Sequence, residues 1–150
     1  MRAGSSLRER AIRLLAQREH SRAELERKLA PYGSAQEIEE TVDRMTELGL
    51  LSDQRFAEVW VRSHAARFGT ARLRHDLAQR GVARELIDAA LNEACPEDDL
   101  DRARALWRSR FGQPPADLRE RAKQGRFLQA RGFAPGVIAR LLREVGDEPA

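Results

Sequence analysis

Apolar positions recur along this chain with the period of an α-helix. Leu7, Ala11, Leu14 and Leu15 stand at i, i+4, i+7 and i+8, and Ile38, Val42 and Met45 repeat the spacing, as do Phe56, Val59 and Trp60. No β-branched run alternates with polar residues, and no Asn-Gly or Asp-Gly joins two apolar segments, so strands are not expected. Ser6 to Glu9, Ser21 to Glu24 and Ser34 to Glu37 each spell S-x-x-E. In that box the hydroxyl and the carboxylate satisfy each other's orphan backbone donors at a helix start. The boxes predict helices over about 7–18, 22–30 and 35–48, stopped by Pro31 and Gly33 and then by Gly49.

The pattern also repeats at long range. Leu25-x3-Leu29-x3-Gly33 returns 48 residues later as Leu73-x3-Leu77-x3-Gly81, and in part as Leu128-x3-Gly132. After each glycine a new helix carries its apolar residues: Ile38, then Leu86 and Ile87, then Val137 and Ile138. Pro135 suits a first helical turn, where its missing N–H is no loss. The chain therefore reads as all-α, with three tandem three-helix repeats over 7–50, 53–94 and 98–146. A unit of under 50 residues hides little apolar surface alone, and stacking hides more, which predicts an elongated, curved rod.

The stretch LLSDQRFAEVW (Leu50 to Trp60) spans the first junction. Leu50 and Leu51 are expected to close the first core, Ser52 or Asp53 to cap the next helix, and Phe56, Val59 and Trp60 to enter the second core. Arg55 is left without a role by this account.

Composition narrows the function. The only cysteine is Cys95, so no intrachain disulfide forms, and His20, His64 and His75 lack ligand spacing. No apolar run approaches the roughly 18 residues of a membrane span and no signal-peptide pattern opens the chain, so a cytoplasmic location is expected. No nucleophile–base pair, glycine-rich phosphate loop or HExxH occurs. Neither an enzyme, a cofactor, a metal nor a small-molecule substrate is expected.

Net charge is +3, and 25 of the 27 basic residues are arginine. The first 50 residues carry nine charges of each sign, so the excess belongs to the later thirds. Arg62, Arg67, Arg72 and Arg74 surround Gly69, where one helix hands over to the next. Such a loop can receive phosphate or carboxylate, or can be a solvated surface paired with Asp76 and Glu58. Arg102, Arg104, Arg108 and Arg110 crowd one helix, followed by Lys123 and Arg126. Trp107 among them can stack on a base, although its helical spacing favours the core. Glu97 to Asp101 reads as an acidic start to that helix, and Glu37, Glu39, Glu40, Asp43 and Glu47 make an acidic face on the third.

Several short motifs in order resemble the RecX family of bacterial regulators of the RecA recombinase. They are Ser21-Arg22-x-Glu24-Leu25-x3-Leu29, Leu48-Gly49-Leu50-Leu51-x-Asp53-x-Arg55-Phe56-Ala57, Gly69, Leu77-x3-Gly81-Val82, and Arg131-Gly132-Phe133 with Val137-Ile138. His64 and Val82 replace the Arg and Ile frequent in the family. The resemblance implies three three-helix repeats, with Leu25, Leu29, Gly33, Asp53, Arg55, Phe56, Gly69, Leu77, Gly81, Gly132 and Phe133 as scaffold. It also implies a non-enzymatic partner of the RecA–single-stranded DNA filament, lying in its groove and suppressing ATPase, strand exchange and coprotease activities. Weak binding to single-stranded DNA, and to double-stranded DNA as a further candidate, would accompany it.

A rival reading is a sequence-independent DNA-binding helical module acting without a recombinase. Leu73 to Leu91 has a helix–glycine–helix look, but its second helix begins Arg84-Glu85-Leu86-Ile87-Asp88, with acids where a recognition helix faces phosphates.

Overall fold

A computed structural model of the chain describes residues 6–95 and 97–146. These residues form nine α-helices and no strand: α1 Leu7–Gln17, α2 Arg22–Leu29, α3 Ala35–Glu47, α4 Asp53–His64, α5 Thr70–Gln79, α6 Arg84–Ala94, α7 Asp99–Arg110, α8 Leu118–Ala130 and α9 Pro135–Gly146. All three capping boxes form, with the hydroxyls of Ser6, Ser21 and Ser34 accepting the N–H of Glu9, Glu24 and Glu37. Pro135 opens α9 as its spacing predicts.

The repeated leucines are the centre of the fold. Leu25, Leu29, Leu73, Leu77 and Leu128 are fully buried, and Ile38, Ile87 and Ile138 are nearly so. Ala11, Leu25, Leu29, Val42 and Met45 of the first three helices pack into one cluster with Leu51, which precedes α4. Ala103, Trp107, Leu128, Phe133, Leu141 and Val145 pack into another within α7–α9. Trp107 is thus a core residue; its indole N–H donates to the buried Gln124 side chain at 2.8 Å.

At the first junction the expectations hold in part. Leu51 and Phe56 are buried, but Leu50 is 40% exposed and Val59 37%. The buried stripe of α4 is Phe56, Ala57 and Val61, and Val59 falls off it. Ser52 caps α4, accepting the N–H of Arg55 at 3.1 Å. Asp53 reaches elsewhere, accepting the backbone N–H of Arg22 at 2.7 Å. Arg55 pairs with Glu19 at 2.6 Å and donates to the Leu50 carbonyl at 3.1 Å.

The chain divides into two compact units. One takes the chain up to Trp60 together with Leu77–Ala90; the other takes Val61–Asp76 together with the chain from Leu91. Each contains one joint, and the two joints share a design. In the first unit the start of α2 meets the turn after α5: the Ser21 hydroxyl donates to the Arg80 carbonyl at 2.6 Å, and Ala23 lies against Gly81. In the second unit the start of α5 meets the turn after α8: the Gly69 N–H donates to the Arg131 carbonyl at 2.7 Å, and Arg72 lies against Gly132. Gly81 and Gly132 have φ of 82° and 91°, a conformation open to glycine because it has no Cβ. The first residue of the next helix completes each joint, Asp53 accepting from Arg22 and Asp99 from the Thr70 hydroxyl at 2.5 Å. Gly33, the corresponding residue of the first repeat, departs from the pattern. A 3-10 turn at Ala30–Tyr32 precedes it and its backbone is extended.

Candidate functional site

All ten candidate cations lie in the second compact unit. Its sequence holds fifteen Lys and Arg against eleven Asp and Glu, whereas the first unit holds twelve against thirteen. Helix packing therefore gathers the basic excess that the sequence spreads over two stretches.

The structure separates these ten by what they already hold. Arg102 is buried, with 6% of its residue surface exposed. It donates to the Ala65 carbonyl at 3.0 Å, to the Phe68 carbonyl, and to Asp99 at 2.5 Å. It stitches α7 to the α4–α5 loop and is not available as a surface contact, which corrects its place among the candidates. The i, i+3 spacing from Asp99 directs its head inward, a geometry that arginine counting along the chain does not reveal. Arg104 is also engaged: it grips Glu144 through two bonds at 2.8 and 3.1 Å and Asp101 at 2.9 Å. Its hydrogen bonds to Glu144 and then Asp101 hold its guanidinium pKa well above the ordinary arginine value, and the same bond to Arg104 holds Glu144 below the ordinary glutamate value. Arg72 pairs with Asp76 at 3.1 Å and donates to the Ala130 carbonyl at 3.4 Å.

Arg62, Arg67, Arg108, Arg110, Lys123 and Arg126 are exposed and make no ion pair among the described residues. Arg74 is exposed too, with an interaction of its own. Several guanidinium groups sit over half-buried phenylalanine rings in an alternating array. Arg72 and Arg67 lie 4.5 and 5.8 Å from the centre of Phe68, and Arg131 lies 5.6 Å from Phe68 and 4.9 Å from Phe127. Arg110 lies 5.4 Å from Phe127 and 5.7 Å from Phe111, and those two rings meet edge to face at 5.4 Å. A guanidinium stacked on a ring keeps its in-plane donors free for phosphate or carboxylate oxygens. Sequence reasoning missed Phe68, Phe111, Phe127 and Arg131 as members; each stands beside a candidate arginine in the chain or across the fold, and only packing unites them.

The other residues singled out by sequence have structural placements. Leu25, Leu29, Phe56, Leu77 and Phe133 are core, and Asp53, Arg55, Gly69, Gly81 and Gly132 are at the joints. Of the acidic side chains on α3, Asp43 holds Arg22 at 2.8 Å and Glu37 belongs to the capping box. Burial pushes the half-buried Cys95 thiol up, which disfavours the thiolate a nucleophile needs. No described helix is long and apolar enough to cross a membrane.

Comparison with known proteins completes the account. Family models for the first, second and third three-helix domains of RecX match residues 8–45, 52–91 and 97–142. The "Regulatory protein RecX" of Leptothrix cholodnii is 50% identical over 95% of this chain and 91% of its own, and that of Ralstonia nicotianae is 46% identical over 96% and 94%. The crystal structure of RecX from Lactobacillus salivarius shares the fold with a TM-score of 0.76, at 20% identity over 93% of this chain and 94% of that one. An all-helical chain of three such domains, matched along nearly its whole length by these proteins, belongs to the RecX family of regulatory proteins.

Proposed function

We propose that this protein binds the RecA–single-stranded DNA filament and restrains its ATPase, strand-exchange and coprotease activities. The observation that carries this reading is the basic surface of the second unit: six of the candidate cations are exposed and make no ion pair among the described residues, and two of them, Arg67 and Arg110, lie with Arg72 and Arg131 against half-buried rings. A filament offers such a surface both phosphates and carboxylates. Guanidinium forks grip either one bidentately, and a guanidinium lying flat on a ring presents its outer face for stacking with any base. Binding across neighbouring subunits would block incoming duplex or a repressor substrate by occupancy and charge, with no chemistry of its own. The cytoplasm, where the filament forms, is the matching compartment.

The test is ATP hydrolysis by RecA on single-stranded DNA while this protein is titrated well below one copy per recombinase subunit. Strong suppression at low ratio is the expected result. No suppression, together with tight salt-sensitive binding to bare DNA, would overturn it in favour of a stand-alone DNA-binding module.

A further inference from the structure

Leu118, the first residue of α8, is 84% exposed, far more than any other large apolar side chain among the described residues. It sits at one end of a groove of about 420 Å³ between α8 and α9. The floor is Ala122 and Gly125 from α8 with Ile138, Ala139 and Leu142 from α9. Gly125 leaves a dent in that floor that a side chain can enter without collision, since a Cβ placed there would make ordinary van der Waals contact with Ile138 at 3.7 Å and Leu142 at 3.9 Å. Small residues between two helices make the kind of furrow into which the ridge of a third helix fits.

Charge says what kind of helix. At 3.6 residues per turn Arg121 lies about 60° to one side of Leu118 and Arg126 about 80° to the other. Both line the groove, and neither makes an ion pair among the described residues. A second copy of the chain seated here about a two-fold axis would set these arginines against their own kind. Nucleic acid would satisfy the arginines and leave Leu118 and the apolar floor in water. By the same helical geometry Phe127 is about half a turn from Leu118, so the groove lies on the opposite face of α8 from the arginine–phenylalanine array.

We propose that the α8–α9 groove is a docking site for an amphipathic helix of a partner protein whose apolar stripe is flanked by Asp or Glu. Leucine-type side chains of that helix cover Leu118 and enter over Gly125, and carboxylates on each flank meet Arg121 and Arg126. The site lies away from the arginine–phenylalanine array, and of the six exposed candidate cations it uses Arg126 alone.

The probe is a labelled helical peptide of roughly 18 residues, with leucines spaced three and four apart and glutamates beside them, titrated with the full chain by fluorescence anisotropy. A matched peptide carries lysine in place of each glutamate. The glutamate peptide should bind with a Kd of about 10–100 μM and the lysine peptide at least about tenfold more weakly. Leu118→Glu, at an exposed position, and Gly125→Met, which fills the floor and favours the helix, should each weaken binding about tenfold with an unchanged circular dichroism spectrum. Arg67→Glu with Arg110→Glu should leave it intact, which keeps this outcome apart from that of the filament experiment. The proposal falls if the two peptides bind alike, if the glutamate peptide fails to bind by about 1 mM, or if Leu118→Glu changes nothing. It falls equally if sedimentation shows a dimer of the chain that Leu118→Glu dissolves.

Discussion

The side chain of Asp53 accepts the backbone N–H of Arg22 at 2.7 Å, tying the first residue of α4 to the first residue of α2. A residue that looks from sequence like a cap for its own helix is instead the cap of another. Asp53→Ala leaves the Arg22 N–H without its acceptor and should lower stability by about 1–2 kcal/mol, while Asp53→Asn, which keeps a carbonyl oxygen there, should lose less. Urea denaturation of the two variants, followed by far-UV circular dichroism, checks the order. Equal losses would mean that charge rather than the bond matters at this joint.

Gly132 and Gly49 share a left-handed backbone, with φ of 91° and 77°, but not a neighbourhood. A Cβ on Gly132 would collide with Arg72, coming within 2.8 Å of its backbone nitrogen, whereas a Cβ on Gly49 would meet nothing within 4 Å. Gly49→Ala should therefore cost about 1 kcal/mol, the backbone strain alone, and Gly132→Ala distinctly more, about 3 kcal/mol or beyond. Thermal unfolding of both proteins separates strain from collision.

His20 is fully buried, its Nδ1–H donating to the Arg18 carbonyl at 3.0 Å and its Nε2 facing the Lys28 ammonium at 3.0 Å. A ring that donates from Nδ1 and accepts from lysine at Nε2 is neutral. Burial, chiefly, and the charges of Arg18 and Lys28 lower its pKa from 6.5, against opposing effects of the Arg18 carbonyl and Glu24. The unfolded chain then binds the proton more readily than the folded one. This contribution to stability is complete above 6.5 and declines as pH falls from there toward the lowered folded value. His20→Gln should flatten the fall in stability between neutral and mildly acidic pH, measured as urea midpoints across that range.

Arginines of the second unit should divide into two classes when replaced. Arg102→Ala strands the Ala65 and Phe68 carbonyls in a part-buried setting and leaves Asp99 with the Thr70 hydroxyl but without its cation, at a cost of about 3 kcal/mol. Arg67→Glu with Arg110→Glu, both exposed, should leave stability within about 0.5 kcal/mol of the parent. On the proposed function, that pair should weaken suppression of RecA ATPase about tenfold or more. If suppression survives the pair unchanged, the filament contact lies on another face.

Helix starts, the leucine–glycine repeat and the three-by-three order of the helices were legible because they depend on near neighbours. A serine finds a glutamate three residues on, and Leu25 finds Leu29 one turn away. Long-range partners left no such local mark. Nothing around Asp53 names Arg22, and nothing near Arg102 says that its acceptors are Ala65 and Phe68. Pro31 and Gly33 end the second helix as the spacing predicts, but the backbone at Gly33 is extended after a 3-10 turn, unlike Gly81 and Gly132, a difference the shared glycine does not announce. The basic surface was half legible, since charge can be counted along a sequence while exposure cannot.

The division of the ten cations has a consequence for counterions. Each phosphate neutralised on a single strand releases about 0.7 of a condensed ion, so ten working cations would give a slope of log affinity against log salt near −7. Of those ten, the six that are exposed and make no ion pair among the described residues would supply only about −4. The arginines held by Asp76, Asp99, Asp101 and Glu144 have their counterions built into the chain, and salt in the medium has nothing there to displace.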